Sequence, residues 1–282
     1  MMIALCPNPF RDLDLSFTKN VMLLLHDAGF ETAVCPVFAD DEPEAIPADI
    51  TVSRITDIAD DCALAVVIGG DGTMLAVARQ LHGHDLPMLG VNLGTKGFMT
   101  SLEQENISLI VEAAKGRYQL SRRMMLDVGL IRGGKEIYSD CALNDAVIHG
   151  YGDCVTITAW CSGQRMTSFT GDGVILSTPT GSTGYSMSAG GPIVEPDAEN
   201  IILSPICAHV MGARSFVLDP AREIMIRTDK SHGRRAYLSM DGNSVYDLEN
   251  GDILRVRRST HYALMADMGL KSFYETAFEK LR

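Results

Sequence analysis

Ala63-Leu64-Ala65-Val66-Val67-Ile68, running straight into Gly69-Gly70-Asp71-Gly72-Thr73, is the stretch on which the fold turns. Six apolar residues in a row, three of them β-branched, read as a strand buried on both faces, as in parallel sheets. The glycine-rich stop sets a turn at the carboxyl end of that strand, and residues 73–81 then read as a helix. Outward from this core, residues 3–6 form a short apolar strand. Leu15, Val21, Met22, Leu25 and Ala28 recur at helical spacing ahead of Gly29. Residues 33–38 predict a second strand, 87–91 another buried one, and 107–115 a helix ended by Gly116. The acidic, proline-bearing stretch 40–47 reads as a surface loop. Strand, helix, strand, helix implies an α/β domain with a Rossmann-like parallel sheet and right-handed crossovers.

Past Tyr118 the texture changes. Residues 124–131, the turn Arg132-Gly133-Gly134-Lys135 and residues 136–138 read as a hairpin. Residues 155–160 alternate, and Ser162-Gly163 turns them into 164–169. Residues 223–227, 236–240, 253–256 and 262–265 have strand composition, spaced by Asp241-Gly242-Asn243 and Glu249-Asn250-Gly251-Asp252. This predicts a mostly antiparallel, β-sandwich-like domain with one helical insertion around 198–204. Residues 272–281 return to an amphipathic helix, with Phe273, Ala277 and Leu281 on one face, which needs docking on the first domain for stability. The expected division is 1–118 plus 268–282 for the α/β domain and 119–267 for the β-rich one.

Composition sets the outer bounds. A chain of 282 residues suits about two domains, and 46% apolar with 21% charged residues supports a real core. Asp plus Glu is 36 against 24 Lys plus Arg, a net charge of −12. That balance argues against a nucleic-acid-binding surface, but not against an anionic small ligand held by backbone amides and a divalent cation. The start of the chain lacks a basic n-region ahead of an apolar stretch, and no apolar run approaches the ~20 residues of a spanning helix. A cytoplasmic protein without a membrane partner is therefore expected. Seven cysteines without a CxxC pair read as reduced, buried thiols. Cys207 and His209 lack a second pair of metal ligands, so no metal-ligating residues are assigned.

Four segments carry candidate chemistry. The first is Gly69-Gly70-Asp71-Gly72-Thr73. At the carboxyl edge of an open sheet, its glycines let backbone amides approach phosphate oxygens, and the following helix points its positive end there. An aspartate among such amides repels an anion; it makes sense as a general base or beside a magnesium ion. An ordinary strand-end turn is the bland alternative. The second segment, Asn92-Leu93-Gly94-Thr95-Lys96-Gly97-Phe98, follows the next buried strand and offers Phe98 for stacking on a base. The third runs from Thr170-Gly171-Asp172-Gly173 through Ser177-Thr178-Pro179-Thr180-Gly181-Ser182-Thr183-Gly184-Tyr185-Ser186 to residue 194. So many hydroxyls and glycines suit a polar loop presenting short donors and acceptors. The fourth is Asn144-Asp145, an amide and a carboxylate suited to ribose hydroxyls, although such a pair alone is more often a turn. GxGxxG, GxxxxGK[ST] and GxSxG motifs are missing, which speaks against ordinary dinucleotide binding, P-loop chemistry and serine hydrolysis.

Together these segments resemble the NAD kinase family. The likeness rests on Gly69 to Thr73, residues 90–98, Asn144-Asp145 and above all residues 171–196, with Leu203-Ser204-Pro205-Ile206-Cys207-Ala208-His209 and Ser239-Met240-Asp241-Gly242 also similar. The GGDG motif alone is shared with phosphofructokinases and with diacylglycerol and sphingosine kinases; the segment 171–196 makes the likeness specific. The resemblance implies transfer of the γ-phosphate of ATP, or of polyphosphate, to the 2′-hydroxyl of the adenosine ribose of NAD, giving NADP. It implies Mg2+ or another divalent cation, and a homodimer or homotetramer. Asp71 is then the catalytic base, Gly70 and Gly72 bracket the phosphates, and Thr73 is cofactor-binding beside them. Asn92, in the neighbouring loop, is a further cofactor-binding residue. Phe98, Thr183 and Tyr185 surround the adenine, Thr180 and Gly184 are further cofactor-binding residues, Asn144 and Asp145 bind ribose, and Asp172 lies near the nicotinamide end.

Four positions depart from the family pattern: Asp145 for glutamate, Gly184 for alanine, Lys96 for leucine, and Thr170 for a basic residue. None removes the base, so an active enzyme is expected. The competing readings are a kinase of a lipid or sugar hydroxyl using the same loop, and a non-catalytic NAD(P)-binding regulator.

Overall fold

Residues 62–69 form the strand that their composition dictates. The computed structural model describes residues 1–38, 46–94, 97–210, 212–229 and 235–281. Its contacts divide the chain into two units, Met1–Arg122 with Ala263–Arg282, and Arg123–Tyr262.

The first unit opens with β1 (Met2–Pro7), α1 (Ser16–Asp27), β2 (Glu31–Val34) and α2 (Ile55–Ile58). It continues with β3 (Cys62–Gly69), α3 (Asp71–Gln80), β4 (Met88–Asn92), β5 (Leu102–Glu103) and α4 (Leu109–Ala114). Its strands lie in the order β2-β1-β3-β4-β5, all parallel. Leu5, Val66, Ile68, Leu89 and Val91 are completely buried with Val21 and Leu25 of α1 and Ile110 of α4. Each such side chain stabilises the fold by up to about 1.5–3 kcal/mol. The predicted second strand is displaced: β2 is Glu31–Val34, although the Cys35 and Val37 amides still donate to the Leu5 and Pro7 carbonyls at 2.7 and 2.8 Å. Most of the loop expected at 40–47 lies outside the described residues. Helix α3 begins two residues earlier than predicted, so Asp71 is its first residue. The extended Gly70 offers its carbonyl to the amides of Thr73 and Met74 at 2.9 and 3.0 Å. An acidic first residue also suits the positive end of the helix.

The second unit holds β6 (Gln119–Arg132, entering from the first unit), β7 (Lys135–Ala142), β8 (Asp145–Gly150), β9 (Val155–Cys161), β10 (Gln164–Gly171) and β11 (Gly173–Ser177). After α5 (Tyr185–Ser188) come β12 (Ile201–Ile206), β13 (Phe216–Leu218), β14 (Ile224–Asp229), β15 (Ala236–Met240), β16 (Asn243–Leu248) and β17 (Ile253–Asp267). One antiparallel sheet runs β10-β9-β14-β17, with β6 on β17 and β7 on β6; the other runs β13-β12-β11-β8-β15-β16. Leu126, Ile157 and Ile226 of the first share one core with Ile148, Leu176 and Leu203 of the second, the arrangement of a sandwich. The hairpin turns Gly133-Gly134, Ser162-Gly163 and Asp241-Gly242 have positive φ at both residues, as tight two-residue turns demand.

Three expectations need correction. Residues 198–204 contain no helical insertion: Ile201, Ile202 and Leu203 are fully buried in β12, paired with β11 and β13. A short apolar run fits either element, and here the slot between two strands decides it. The helical turns lie earlier, at Thr180–Thr183 and α5, inside the segment read as irregular loop. Residues 253–256 and 262–265 are parts of a single strand, β17. The chain closes with α6 (Phe273–Lys280) in the first unit, where Phe273 and Ala277 are half-buried but Leu281 is 50% exposed. All seven cysteines are free, and only Cys6, Cys35 and Cys141 are buried. No helix among the described residues is long and apolar enough to cross a membrane.

Candidate functional site

Each unit assembles its own constellation. In the first, β3 and β4 run parallel with Gly69 opposite Asn92. The loops after both strands therefore start side by side at the carboxyl edge, where the Leu93 amide donates to the Gly69 carbonyl at 2.8 Å. The loop after β1 joins them, as the Asn8 amide donates to the Ile68 carbonyl at 2.9 Å. Asp71 is gripped by the second loop: its Oδ2 accepts from the Phe98 amide at 2.7 Å and its Oδ1 from the Met99 amide at 3.1 Å. A Cβ on Gly97 would overlap that carboxylate, so only glycine lets the loop approach. A Cβ on Gly70 or Gly72 would meet no protein atom. Packing does not require glycine there; the space belongs to a cleft of about 480 Å3 lined by Gly70, Asp71, Gly72 and Thr73.

Asn92 lines the same cleft, and its side chain is also tied into the loop. Its Nδ2 donates to the Gly94 carbonyl and to Glu103 Oε2 at 3.1 and 3.0 Å, and its Oδ1 accepts from the Gly94 amide at 3.1 Å. These bonds use its side chain to shape the loop. Thr73 Oγ1 accepts from Asn8 Nδ2 at 3.2 Å. Phe98 is half-buried, with the Lys280 ammonium 4.2 Å above its ring centre.

In the second unit, β8 starts at Asp145, so Asn144-Asp145 is a strand entry. The carboxylate of Asp241, at the β15–β16 turn, accepts the amides of Leu143, Asn144 and Asp145 at 2.9, 2.8 and 3.1 Å. From the other side, Thr178 donates its hydroxyl to the Leu143 carbonyl at 2.6 Å and its amide to the Asn144 carbonyl at 2.9 Å. Gly181 sits against this backbone so closely that a Cβ would overlap the Asn144 carbonyl. The segments 143–145 and 178–184 are thus locked together. Within them, Asn144 Oδ1 and Thr180 Oγ1 are buried without a hydrogen-bond partner among the described residues. Unpaired buried acceptors are costly, and a ligand's hydroxyls would satisfy them.

Asp145 is 5% exposed. Burial, and then the neighbouring Asp241 charge, push its carboxyl up to about 7. Gly184 leads into Tyr185, whose ring stacks on His149 at 5.4 Å, and His149 stacks on Tyr237 at 5.7 Å. Burial pushes the His149 imidazole below its usual range, against the opposing pull of Asp172. Thr183 bonds back to the Thr180 carbonyl at 3.2 Å. Asp172 is exposed; the Cys154 thiol lies 3.7 Å from its Oδ1 and 3.3 Å from His209 Nε2.

Structure therefore gathers Gly70, Asp71, Gly72, Thr73, Asn92 and Phe98 in one unit, and Asn144, Asp145, Thr180, Thr183, Gly184 and Tyr185 in the other. Asn8, Arg11 and Lys280, which also line the cleft, escaped the motif reading. Asn8 had a signal: it follows a parallel strand at the edge where ligands bind. Asp241 was legible only as a turn residue.

A carboxylate held by backbone amides beside a glycine-lined cleft, at the carboxyl edge of a parallel sheet, marks a nucleotide-handling phosphotransferase. Residues 13–116 match the family model of the ATP-NAD kinase N-terminal domain, and residues 144–268 that of the ATP-NAD kinase C-terminal domain. The chain belongs to the NAD kinase family. It is 41% identical over 236 residues to the NAD kinase of Geobacter metallireducens, covering 83% of this chain and 82% of that one. With the NAD kinase of Acetivibrio thermocellus it shares 34% identity, across 99% of this chain and 96% of that one. In fold it is similar to yeast NADH kinase complexed with NADH, with a TM-score of 0.88, 24% identity and coverage of 100% and 87% of the two chains. It is also similar to an NAD kinase from Archaeoglobus fulgidus in complex with ATP, with a TM-score of 0.77, 24% identity and coverage of 100% and 99%.

Proposed function

We propose that this NAD kinase transfers the γ-phosphoryl group of ATP to the 2′-hydroxyl of the adenosine ribose of NAD, with Asp71 as the general base. The observation that carries this reading is the setting of Asp71. Each of its oxygens spends one lone pair on a loop amide and keeps another for an incoming hydroxyl. The 2′-oxygen bonds to the γ-phosphorus as the bond to the leaving ADP breaks, and Asp71 takes the hydroxyl proton. Gly70, Gly72 and Thr73 leave room for the phosphates at the start of α3. Such chemistry rests on positioning and charge neutralisation.

In the second unit, Asn144, Asp145 and Thr180 receive ribose hydroxyls, Thr183, Gly184 and Tyr185 flank the adenine, and Asp172 lies toward the nicotinamide. The NADH and ATP named with the yeast and archaeal relatives support both nucleotides. A divalent cation fits on limited terms. Among the described residues no group of three or more His, Cys, Asp or Glu side chains could hold one, and Asp71 is the one carboxylate lining the cleft. Magnesium would therefore be held mainly by the donor's phosphates with Asp71, the usual economy for this ion. When bound it neutralises phosphate charge.

The proposal includes a cytoplasmic homodimer or homotetramer, with inorganic polyphosphate as the other donor. Incubation with ATP, magnesium and NAD, followed by an NADP-specific dehydrogenase, is expected to detect NADP. No NADP with either ATP or polyphosphate would overturn the reading, and light scattering checks the assembly.

A further inference from the structure

We propose that Lys280, delivered by α6, binds the phosphates of the donor in the Asp71 cleft, with Arg11 as a second cation of the same site. The inference rests on reading that cleft as the donor site. Helix α6 is set firmly at its start: Ser272 Oγ accepts the Glu275 amide at 3.2 Å, and Glu275 accepts the Ser272 amide at 2.8 Å, a reciprocal cap. From there its exposure is inverted. Tyr274 and Phe278 are 64% and 61% exposed, while Lys280 is half-buried and lines the cleft. A helix that exposes Tyr274 and Phe278 while half-burying Lys280 at a cleft has another use for the lysine than solubility.

The surroundings of the amine state that use. It sits 4.2 Å above the Phe98 ring, and the Phe98 amide holds Asp71. Burial lowers the affinity of the amine for its proton, and the charge of Asp71 opposes that. Arg11 lies against Gly94 at the same cleft. Neither cation forms an ion pair with a carboxylate among the described residues. Elsewhere in the chain Arg132 pairs with Asp252 at 2.8 Å, and Lys271 with Glu279 at 2.8 Å. Two cations outside any ion pair among the described residues, around a cleft with room left by Gly70 and Gly72 and only Asp71 as a carboxylate, match a ligand carrying several negative charges close together. A triphosphate is such a ligand. A lysine meets it as a compact charge on a flexible stem, and can follow the γ-phosphoryl group as it moves.

Lys280→Met keeps the stem over Phe98 and removes the charge; Lys280→Arg keeps the charge. Both are to be compared with the wild-type chain by steady-state kinetics, and by calorimetric titration with inorganic tripolyphosphate in the absence of NAD. The expected result for Lys280→Met is a KM for ATP and a Kd for tripolyphosphate raised about tenfold or more. The KM for NAD should stay within about twofold, and Lys280→Arg should recover most of the loss. Arg11→Met should weaken tripolyphosphate binding in the same direction, and covers the case in which the helix variant fails to fold. If Lys280→Met melts like wild type and binds tripolyphosphate equally well, Lys280 only anchors its helix and the inference is overturned. Failure of the kinase reading looks different: the wild-type chain would make no NADP, whatever the calorimetry of the variants shows.

Discussion

The Asp71 cleft and the Asn144 strand entry are both built with glycine-rich loops, yet glycine means different things in them. At Gly70 and Gly72 a side chain would enter open cleft, whereas at Gly181 it would strike the backbone of Asn144. The carboxylates differ in the same way. Asp71 is met by two amides, whereas Asp145 is buried beside a second carboxylate and its proton affinity rises. The first region keeps space and positive dipoles ready for an anion. The second spends its glycines on rigidity and keeps its unpaired acceptors for hydroxyl groups. On the proposed function, chemistry belongs to the open region, and discrimination between ligands to the rigid one.

The sharpest break of that contrast is Asp71→Asn. Losing the base is expected to lower turnover by at least about 10²-fold, with NAD affinity retained, measured as NADP formation and by NAD titration. Near wild-type turnover would remove Asp71 from the chemistry. Next come two glycine substitutions with opposite signatures. Gly181→Ala must displace the Asn144 backbone and is expected to cost about 2–3 kcal/mol, seen as a clear drop in Tm. Gly72→Ala lies inside α3, where alanine is the better helix former, so its Tm should hold or rise slightly. Its penalty should instead appear as a higher KM for ATP. Equal melting of the two variants would erase the distinction between packing glycines and ligand-space glycines.

How far these features could be read in advance depended on their range along the chain. The strand 63–68 and the Gly-Gly-Asp-Gly turn are local, and local patterns were legible, as was the Asp241-Gly242 turn. Ile201 to Leu203 was misread because a short apolar run fits a helix or a strand until its neighbours are known. Asp241 illustrates the other limit. The turn is local, but its carboxylate serves the amides of Leu143, Asn144 and Asp145, 96 to 98 residues away. Lys280 reaches the Asp71 cleft from the far end of the chain, and no motif spacing records that.

Asp241 therefore offers a test of rigidity in the second region alone. In Asp241→Asn only one oxygen remains to serve three amides, and the new NH2 group faces a donor. The expected cost is about 1–3 kcal/mol, with the KM for NAD raised several-fold and the KM for ATP unchanged. If both rise together, the Asn144 strand entry is not a separate unit of function.

The smallest effect on turnover concerns pH. An aspartate in an unfolded chain titrates near 3.9, whereas Asp145 in the folded chain titrates at about 7. Between those values the folded state holds a proton that the unfolded state has released, so this group's contribution to stability falls as pH rises. The contribution is neutral below about pH 4, declines through the window and is constant above about pH 7. Asp145→Asn should remove the slope, so its Tm should pull ahead of wild type by roughly 10 °C between pH 4 and 7 and keep that lead above. Ribose hydroxyls donate to a carboxylate, so NAD affinity of the wild type should strengthen as pH rises through 7, and that of the variant should not. In Asp241→Asn the upper edge of the window should move down, because the lesser of the two causes is gone. It should not reach the ordinary carboxylate range, because burial, the larger cause, remains.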